Sequence, residues 1–374
     1  MPTLIDGLVT SLFTYAMHSV AACTLALIVG RFVRLPHDRD ILWKVTLVAP
    51  LLTTAFALVL SATGTHGAFI DLADLARRAP NVDLPGREVR IQMLHTGSAS
   101  TVVRQFTDPV TTALSLAFVA LVVTTTFVAV FRLSHRRRRL ARAVSGRRAM
   151  GALPIVTRGA AVRLSAAPDL QSPVALGSFE VCLPSDVVDD FSERHQRSLI
   201  AHEVAHLERR DPAWLFVAEL IAALSAFQPL VFVVLRAFRR DVELICDETA
   251  VRRTSDQESL IAALARLASP FDPRSPLHGA AAAYDGSPLV ARAQRIATLS
   301  LAAAPSNARR PALLLAVALV SLLCAVPVVS AAPRLNDLPR NPADMMRVMG
   351  RPGRIVTVDE TIVRTKRRVV TVAE

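Results

Sequence analysis

The stretch "LIAHEVAHLERRD", Leu199–Asp211, decides how this chain is read. On a helix, His202 and His206 stand one turn apart on one face, so both imidazoles can reach a single tetrahedral cation. Glu203 is rotated by about 100° from His202 and can hold a water bound to that cation. The competing reading is an ordinary solvated face, because Glu208, Arg209 and Arg210 decorate the same helix. Context favours the metal. Upstream, "LPIVT" (Leu153–Thr157), "AVRLS" (Ala161–Ser165) and "GSFEVCLP" (Gly177–Pro184) read as short strands punctuated by turn residues. The sequence "DFSE" then offers Asp190 as an N-cap with Glu193 three residues on, and Pro212 sits where a new helix would begin.

Two histidines need a further protein ligand, and the downstream chain restricts where it can come from. "PAWLFVAELIAALSAFQPLVFVVLRAFRRD", Pro212–Asp241, is almost apolar enough to cross a bilayer. A complete crossing would put everything after it on the far side from His202. A helical hairpin turning near Gln228–Pro229 keeps both ends together, with apolar faces packed on other spans or dipping into the bilayer. Its second arm leads into "VELICDE", where Glu243 and Asp247 are four residues apart and face the same way. One carboxylate can complete the zinc shell while the other hydrogen-bonds a ligand histidine. Cys246 lies about 100° off that face, which disfavours it as a ligand.

The rest of the chain is bunched into apolar runs. The 374 residues are 52% hydrophobic but only 5% aromatic, with a mean hydropathy of +0.39, too apolar for an ordinary soluble enzyme. Gly7–Gly30, Trp43–Thr63, Val110–Phe131 and Pro311–Ala331 are each about long enough to span a membrane. The first has "MPTLID" before it, with Asp6 and no basic residue, and is read as a retained helix rather than a signal peptide. A formal charge of +12 raises nucleic-acid binding, but the placement of the charge argues against it. "HRRRRLARAVSGRR" (His135–Arg148) follows the third run directly, Arg31, Arg34, Arg39 and Lys44 crowd the loop between the first two, and Arg292, Arg295, Arg309 and Arg310 precede the fourth. By the positive-inside rule these clusters face the cytoplasm. The expected organisation is two spans in 1–64, an extracytoplasmic loop at 65–108, a third span in 109–133, a cytoplasmic domain at 134–310, a fourth span in 311–332 and an extracytoplasmic tail at 333–374. Four cysteines without CxxC spacing indicate neither a disulfide framework nor a thiolate zinc site.

"HEVAHLERRD" followed by "ELICDE", with "SPVALGSFEVCLP" (Ser172–Pro184) upstream, resembles the BlaR/MecR-type integral-membrane zinc peptidases, the beta-lactam antirepressor family. The specific motifs cover about 172–250, and the matching order of spans extends the likeness over roughly 5–330. The resemblance implies a mostly α, polytopic fold: four transmembrane helices with an inserted α+β, gluzincin-like peptidase domain. It makes His202, His206 and Glu243 ligands of one Zn2+, Glu203 the general base, and Asp247 a hydrogen-bond partner of a ligand. It further implies that the strand Gly177, Ser178, Phe179, Glu180, Val181, Cys182 pairs with an extended peptide substrate. The chain departs from beta-lactam sensors after the fourth span, where "PRLNDLPRNPADMMRVMGRPGRIVTVDETIVRTKRRVVTVAE" holds no SxxK motif.

The favoured function is therefore a regulatory zinc endopeptidase of the bacterial inner membrane with its site on the cytoplasmic side. Its substrate would be a protein or peptide, with a transcriptional repressor or the chain itself as candidates. The bilayer is a partner, a homodimer is a candidate assembly, and direct nucleic-acid binding is not expected. Two other classes compete. A catalytically idle zinc-binding transducer would not need Glu203. A transporter or channel would need buried ionisable groups within the spans, and apart from His18 and the boundary Lys44 these are sparse.

Overall fold

In the computed structural model the described residues are 2–62, 69–71, 89–96, 99–106, 109–157, 159–268, 288–299, 328–330 and 356–357. They form two compact units. Three helices among the described residues are long and apolar enough to cross a membrane: α1 (Pro2–Phe32), α2 (Pro36–Ala62) and α3 (Pro109–Ala143). Most of the expected fourth span, 311–327, lies outside the described residues.

The first unit takes in Met1–His18, Leu51–Thr124 and Cys324–Glu374. Its helical segments meet through Phe13 stacked on Phe118, with ring centroids 4.5 Å apart, and through His18 Nδ1, 2.8 Å from Thr53 Oγ1. Such a polar contact between apolar helices is a packing device, so His18 has a structural role. Strands β1 (Phe69–Asp71), β2 (Val89–Thr96) and β3 (Ala99–Phe106) belong to the same unit. β2 and β3 pair antiparallel. The "RIVTV" segment of the tail supplies Val356–Thr357, which pairs parallel with Val89–Arg90. Val328–Ser330, the end of the fourth apolar run, is a short strand paired with β1. "RRVVTV" lies outside the described residues.

The second unit, Ser19–Pro50 and Thr125–Leu323, holds the motif. α3 does not stop where the apolar run ends: arginines are good helix formers, and the helix continues through Arg136–Arg139 to Ala143. A four-stranded sheet follows, built from β4 (Arg148–Thr157), β5 (Ala160–Ala167), β6 (Val174–Leu176) and β7 (Glu180–Pro184) in the order β4-β5-β7-β6. β7 is fully buried and hydrogen-bonded on both sides, parallel to β5 and antiparallel to β6. Gly177, at φ 60, makes the turn between β6 and β7, a backbone region that side chains with a Cβ avoid.

The expected Asp190 N-cap is displaced. Ser185–Asp190 forms a short helix α4, and the cap of α5 (Glu193–Arg209) is Ser192, whose hydroxyl accepts from the His195 N–H. Ser is as good a cap as Asp, and the break at Phe191 leaves Ser192 in the extended conformation a cap requires. Arg210 then turns the chain in the left-handed region, φ 60, into α6 (Asp211–Leu224), with Pro212 in its first turn. The hairpin turns at Ser225–Pro229, and α7 (Leu230–Thr254) returns. α8 (Gln257–Ala268) and α9 (Pro288–Ala297) complete the unit.

Two apolar clusters hold α5 in place. On one side Leu199, Val204 and Leu207 pack with Val162, Val181 and Leu183 of the sheet. On the other, Ala201 joins Ala250 and Val251 of α7, Leu260 and Leu264 of α8, and Ile296 of α9. The hairpin keeps Phe216, Leu220, Leu224, Phe232 and Val233 exposed.

Candidate metal centre

Helices α5 and α7 bring three ligand side chains together. His202 Nε2 is 3.2 Å from His206 Nε2 and 3.5 Å from Glu243 Oε2, and His206 Nε2 is 3.8 Å from Glu243 Oε1. Ligands about 2.0–2.1 Å from a tetrahedral zinc stand about 3.3–3.4 Å from one another. The three separations bracket that value, so the donor set fits a zinc ion in size as well as in chemistry. Of the two carboxylates, Glu243 is the one that faces the Nε2 atoms of both histidines, whereas Asp247 lies behind His202 at its Nδ1.

Each histidine is held from behind by a carboxylate. His202 Nδ1 lies 3.1 Å from Asp247 Oδ1, and His206 Nδ1 lies 3.0 Å from Asp211 Oδ2. Carboxylates there select the tautomer with hydrogen on Nδ1 and leave Nε2 free to ligate. Asp211 is fully buried and also accepts from Arg209 Nε at 3.1 Å, while Arg209 Nη2 reaches Asp40 Oδ1 at 3.0 Å. A continuous polar chain thus runs from Asp40, near the start of α2, to His206. A second tie joins α2 to the helix carrying Glu243. Arg39 binds Asp241 through Nε and Nη2, both at 2.8 Å, and Trp43 Nε1 donates to the same carboxylate at 2.8 Å. Gly30 makes room for Trp43: a Cβ there would stand 2.6 Å from the indole.

Burial opposes a charge on His202, but Asp247 and Glu243 outweigh it, and the ring's pKa is pushed up to about 10. Glu243 moves the opposite way, well below the usual carboxylate range, because His202 and Arg292 outweigh its burial. Burial raises the Glu203 carboxyl against the pull of both histidines, the direction a general base needs to hold a proton near neutrality. Cys246, 3.3 Å from His206 Nδ1 and 3.4 Å from Asp211 Oδ2, is pushed well up by burial and by Asp211. Its Sγ faces Asp211 Oδ2 and the Nδ1 side of His206, away from the Nε2 atoms that face Glu243.

The strand assignment needs correction. Glu180, Val181 and Cys182 lie on β7, and Gly177, Ser178 and Phe179 form the turn before it. With β5 and β6 on its two sides, β7 has no free edge for a peptide. Glu180 is instead tied to Arg147 at 2.6 Å and to the Ser165 hydroxyl at 2.8 Å. The sheet's edges among the described residues are β4 and β6, and the backbone of Ala175 on β6 lies beside Glu203. His195 packs edge-on against Phe191, with ring centroids 6.2 Å apart. Arg210 serves as the turn between α5 and α6.

The sequence profile of the BlaR1 peptidase M56 family matches residues 10–264, more than half the chain. The chain belongs to that family. None of the curated proteins compared with this M56 chain matches it. The family is one of metallopeptidases, so a protein or peptide is the substrate class and a metal the expected cofactor. With three apolar helices of spanning length, the M56 chain is a membrane protein. Arg292 lies beyond the matched residues. It touches the site directly, with Nε and Nη2 on Asp247 at 2.8 and 2.7 Å and Nη1 on Glu243 at 3.0 Å.

Proposed function

We propose that the chain is a membrane-embedded zinc endopeptidase with a cytoplasm-facing site and a regulatory role, cutting a repressor, itself or another protein. The observation that carries this reading is the triangle of His202, His206 and Glu243 with the buried carboxylate of Glu203 beside it. The basic clusters flanking the spans support a cytoplasmic placement in a bacterial inner membrane. The exposed apolar residues of the α6–α7 hairpin suit a face lying against lipid.

His202, His206 and Glu243 would hold the zinc, which when bound supplies a Lewis acid for water and for the scissile carbonyl. Glu203 takes the proton of the attacking water on its carboxylate and returns it to the leaving amine nitrogen. The outer edge of β6 offers backbone groups to an extended substrate, and its Ala175 lies beside Glu203, so strand addition brings a peptide alongside the base. Asp247 and Asp211 keep the two rings in the ligating tautomer.

The test is cleavage of a co-expressed candidate repressor, with zinc content measured on the same preparations. Glu203→Ala is expected to keep zinc and lose cleavage, and His202→Ala to lose both. Full cleavage by Glu203→Ala would eliminate the assignment of the base.

A further inference from the structure

We propose that Arg292 is a positioning residue of the metal site, holding Glu243 and Asp247 in their working orientations from a helix beyond the matched M56 segment. The inference rests on the zinc reading above. Of the three ligand side chains, Glu243 is the least fixed: it is 36% exposed, against 6% for His202 and 10% for His206. A glutamate with that freedom must be ordered when metal arrives, and ordering it in advance raises affinity.

The guanidinium is placed to do this. Its Nε and Nη2 take both oxygens of Asp247, and Nη1 takes Glu243 Oε2, leaving Oε1 directed toward His206. Arg292 is itself 13% exposed, and it is the one arginine or lysine among the described residues with an ion pair to both carboxylates. Ile296, one turn on and fully buried among Ala201, Ala250, Val251 and Leu260, anchors α9 on the same face. By sequence Arg292 is one of several arginines before an apolar run; by position it spans two carboxylates of the centre.

Two physical effects predict opposite results when it is changed. A cation a few ångströms from a dication repels it, so Coulomb's law alone makes removal of Arg292 tighten zinc binding. Loss of a group orienting metal ligands weakens binding by about 10- to 100-fold. The geometry favours the second effect, because one planar fork engages two carboxylates and no flexible ammonium reproduces it.

The experiment is a chelator-competition titration of zinc on the full-length protein in detergent, comparing wild type with Arg292→Gln, Arg292→Lys and Arg295→Gln. Arg295, on the same helix, faces Glu248 at 4.0 Å and serves as the control. The expected result is zinc binding weakened at least tenfold in Arg292→Gln and less in Arg292→Lys, with Arg295→Gln unchanged. The visible spectrum of the cobalt-substituted Arg292→Gln protein should also move toward that of Glu243→Gln, a change that general loosening of α9 would not produce. If Arg292→Gln fails to fold, Arg292→Lys carries the test. Zinc binding by Arg292→Gln as tight as wild type or tighter, in a protein where His202→Ala abolishes it, overturns the role of Arg292 and leaves the zinc site standing. A wild type that binds no zinc overturns both.

Discussion

Asp211 offers the sharpest test of how the centre is built. It has no exposed surface, and a single oxygen, Oδ2, serves His206 Nδ1 at 3.0 Å, Arg209 Nε at 3.1 Å and Cys246 Sγ at 3.4 Å. Asp211→Asn keeps an oxygen of the right shape but loses the charge, so the ring of His206 becomes a poorer donor to metal. Support of that kind is worth about 10- to 100-fold in metal affinity, or about 1.4–2.7 kcal/mol. Asp211→Ala does more damage, because it leaves the ring N–H and Arg209 Nε without an acceptor, with only Asp40 left to pair the guanidinium. Breaking a buried charged pair on one side costs about 3–5 kcal/mol, and the loss should appear in the chelated protein as well. The assay is zinc competition against a fluorescent chelator, paired with thermal unfolding in excess chelator. Asp211→Asn should lose affinity with a small change in melting temperature, and Asp211→Ala should lose both. If folded Asp211→Asn bound zinc within twofold of wild type, the account of His206 as a carboxylate-supported ligand would fail.

Three further outcomes follow from particular side chains. In the metal-free protein the His202 pair contributes stability that is complete below the ordinary histidine pKa of about 6.5 and disappears as pH rises through about 10. Zinc binding near pH 7.5 should therefore expel about one proton, and its apparent affinity should rise about tenfold per pH unit up to that limit, as calorimetry in two buffers of different ionisation enthalpy would read. Glu180 is held below the usual carboxylate range because Arg147, Ser165 and Arg163 outweigh its burial, so its contribution is present above about 4.5 and is lost as pH falls through the lower folded value. Glu180→Gln should cost about 1–3 kcal/mol at pH 7 and flatten the acid side of an unfolding titration. Arg210, a non-glycine at φ 60, carries a steric cost of about 1–2 kcal/mol that glycine does not, so Arg210→Gly should raise the melting temperature.

Features with a local cause were legible in the sequence. The spacing of His202 and His206, the three long apolar runs, Pro212 at a helix start and the hairpin near Pro229 each follow from nearest neighbours along the chain. The errors fall where a local signal had a rival. Asp190 and Ser192 are both good caps, and only the short helix ending at Asp190 decides between them. β6 is three residues between Pro173 and Gly177, too short to announce itself beside the stronger β7. The sheet order β5-β7-β6 places the longer, more apolar strand inside and leaves the shorter one at the edge, a choice made by packing against α5 that alternation cannot reveal.

The support of the site was hidden for a different reason: each supporting residue carried a sufficient local explanation. Asp211 reads as an acidic residue at the first turn of α6, where a helix dipole favours it. Arg209 reads as a basic residue in the last turn of α5, and Arg292 as one of the arginines before a membrane run. The structure gives Arg209 and Arg292 partners far along the chain, on Asp40, Asp247 and Glu243, and sets Asp211 against His206 and Cys246. A centre that must collect a dication, four carboxylates and a buried histidine pair in an apolar fold cannot be stabilised by its ligands alone, since each uncompensated charge costs several kcal/mol. The compensating arginines must therefore come from whichever elements pack around it, here the end of α5 and the otherwise separate α9. A better sequence reading of such a site would ask, for every buried carboxylate the motif implies, which arginine is left to pair with it.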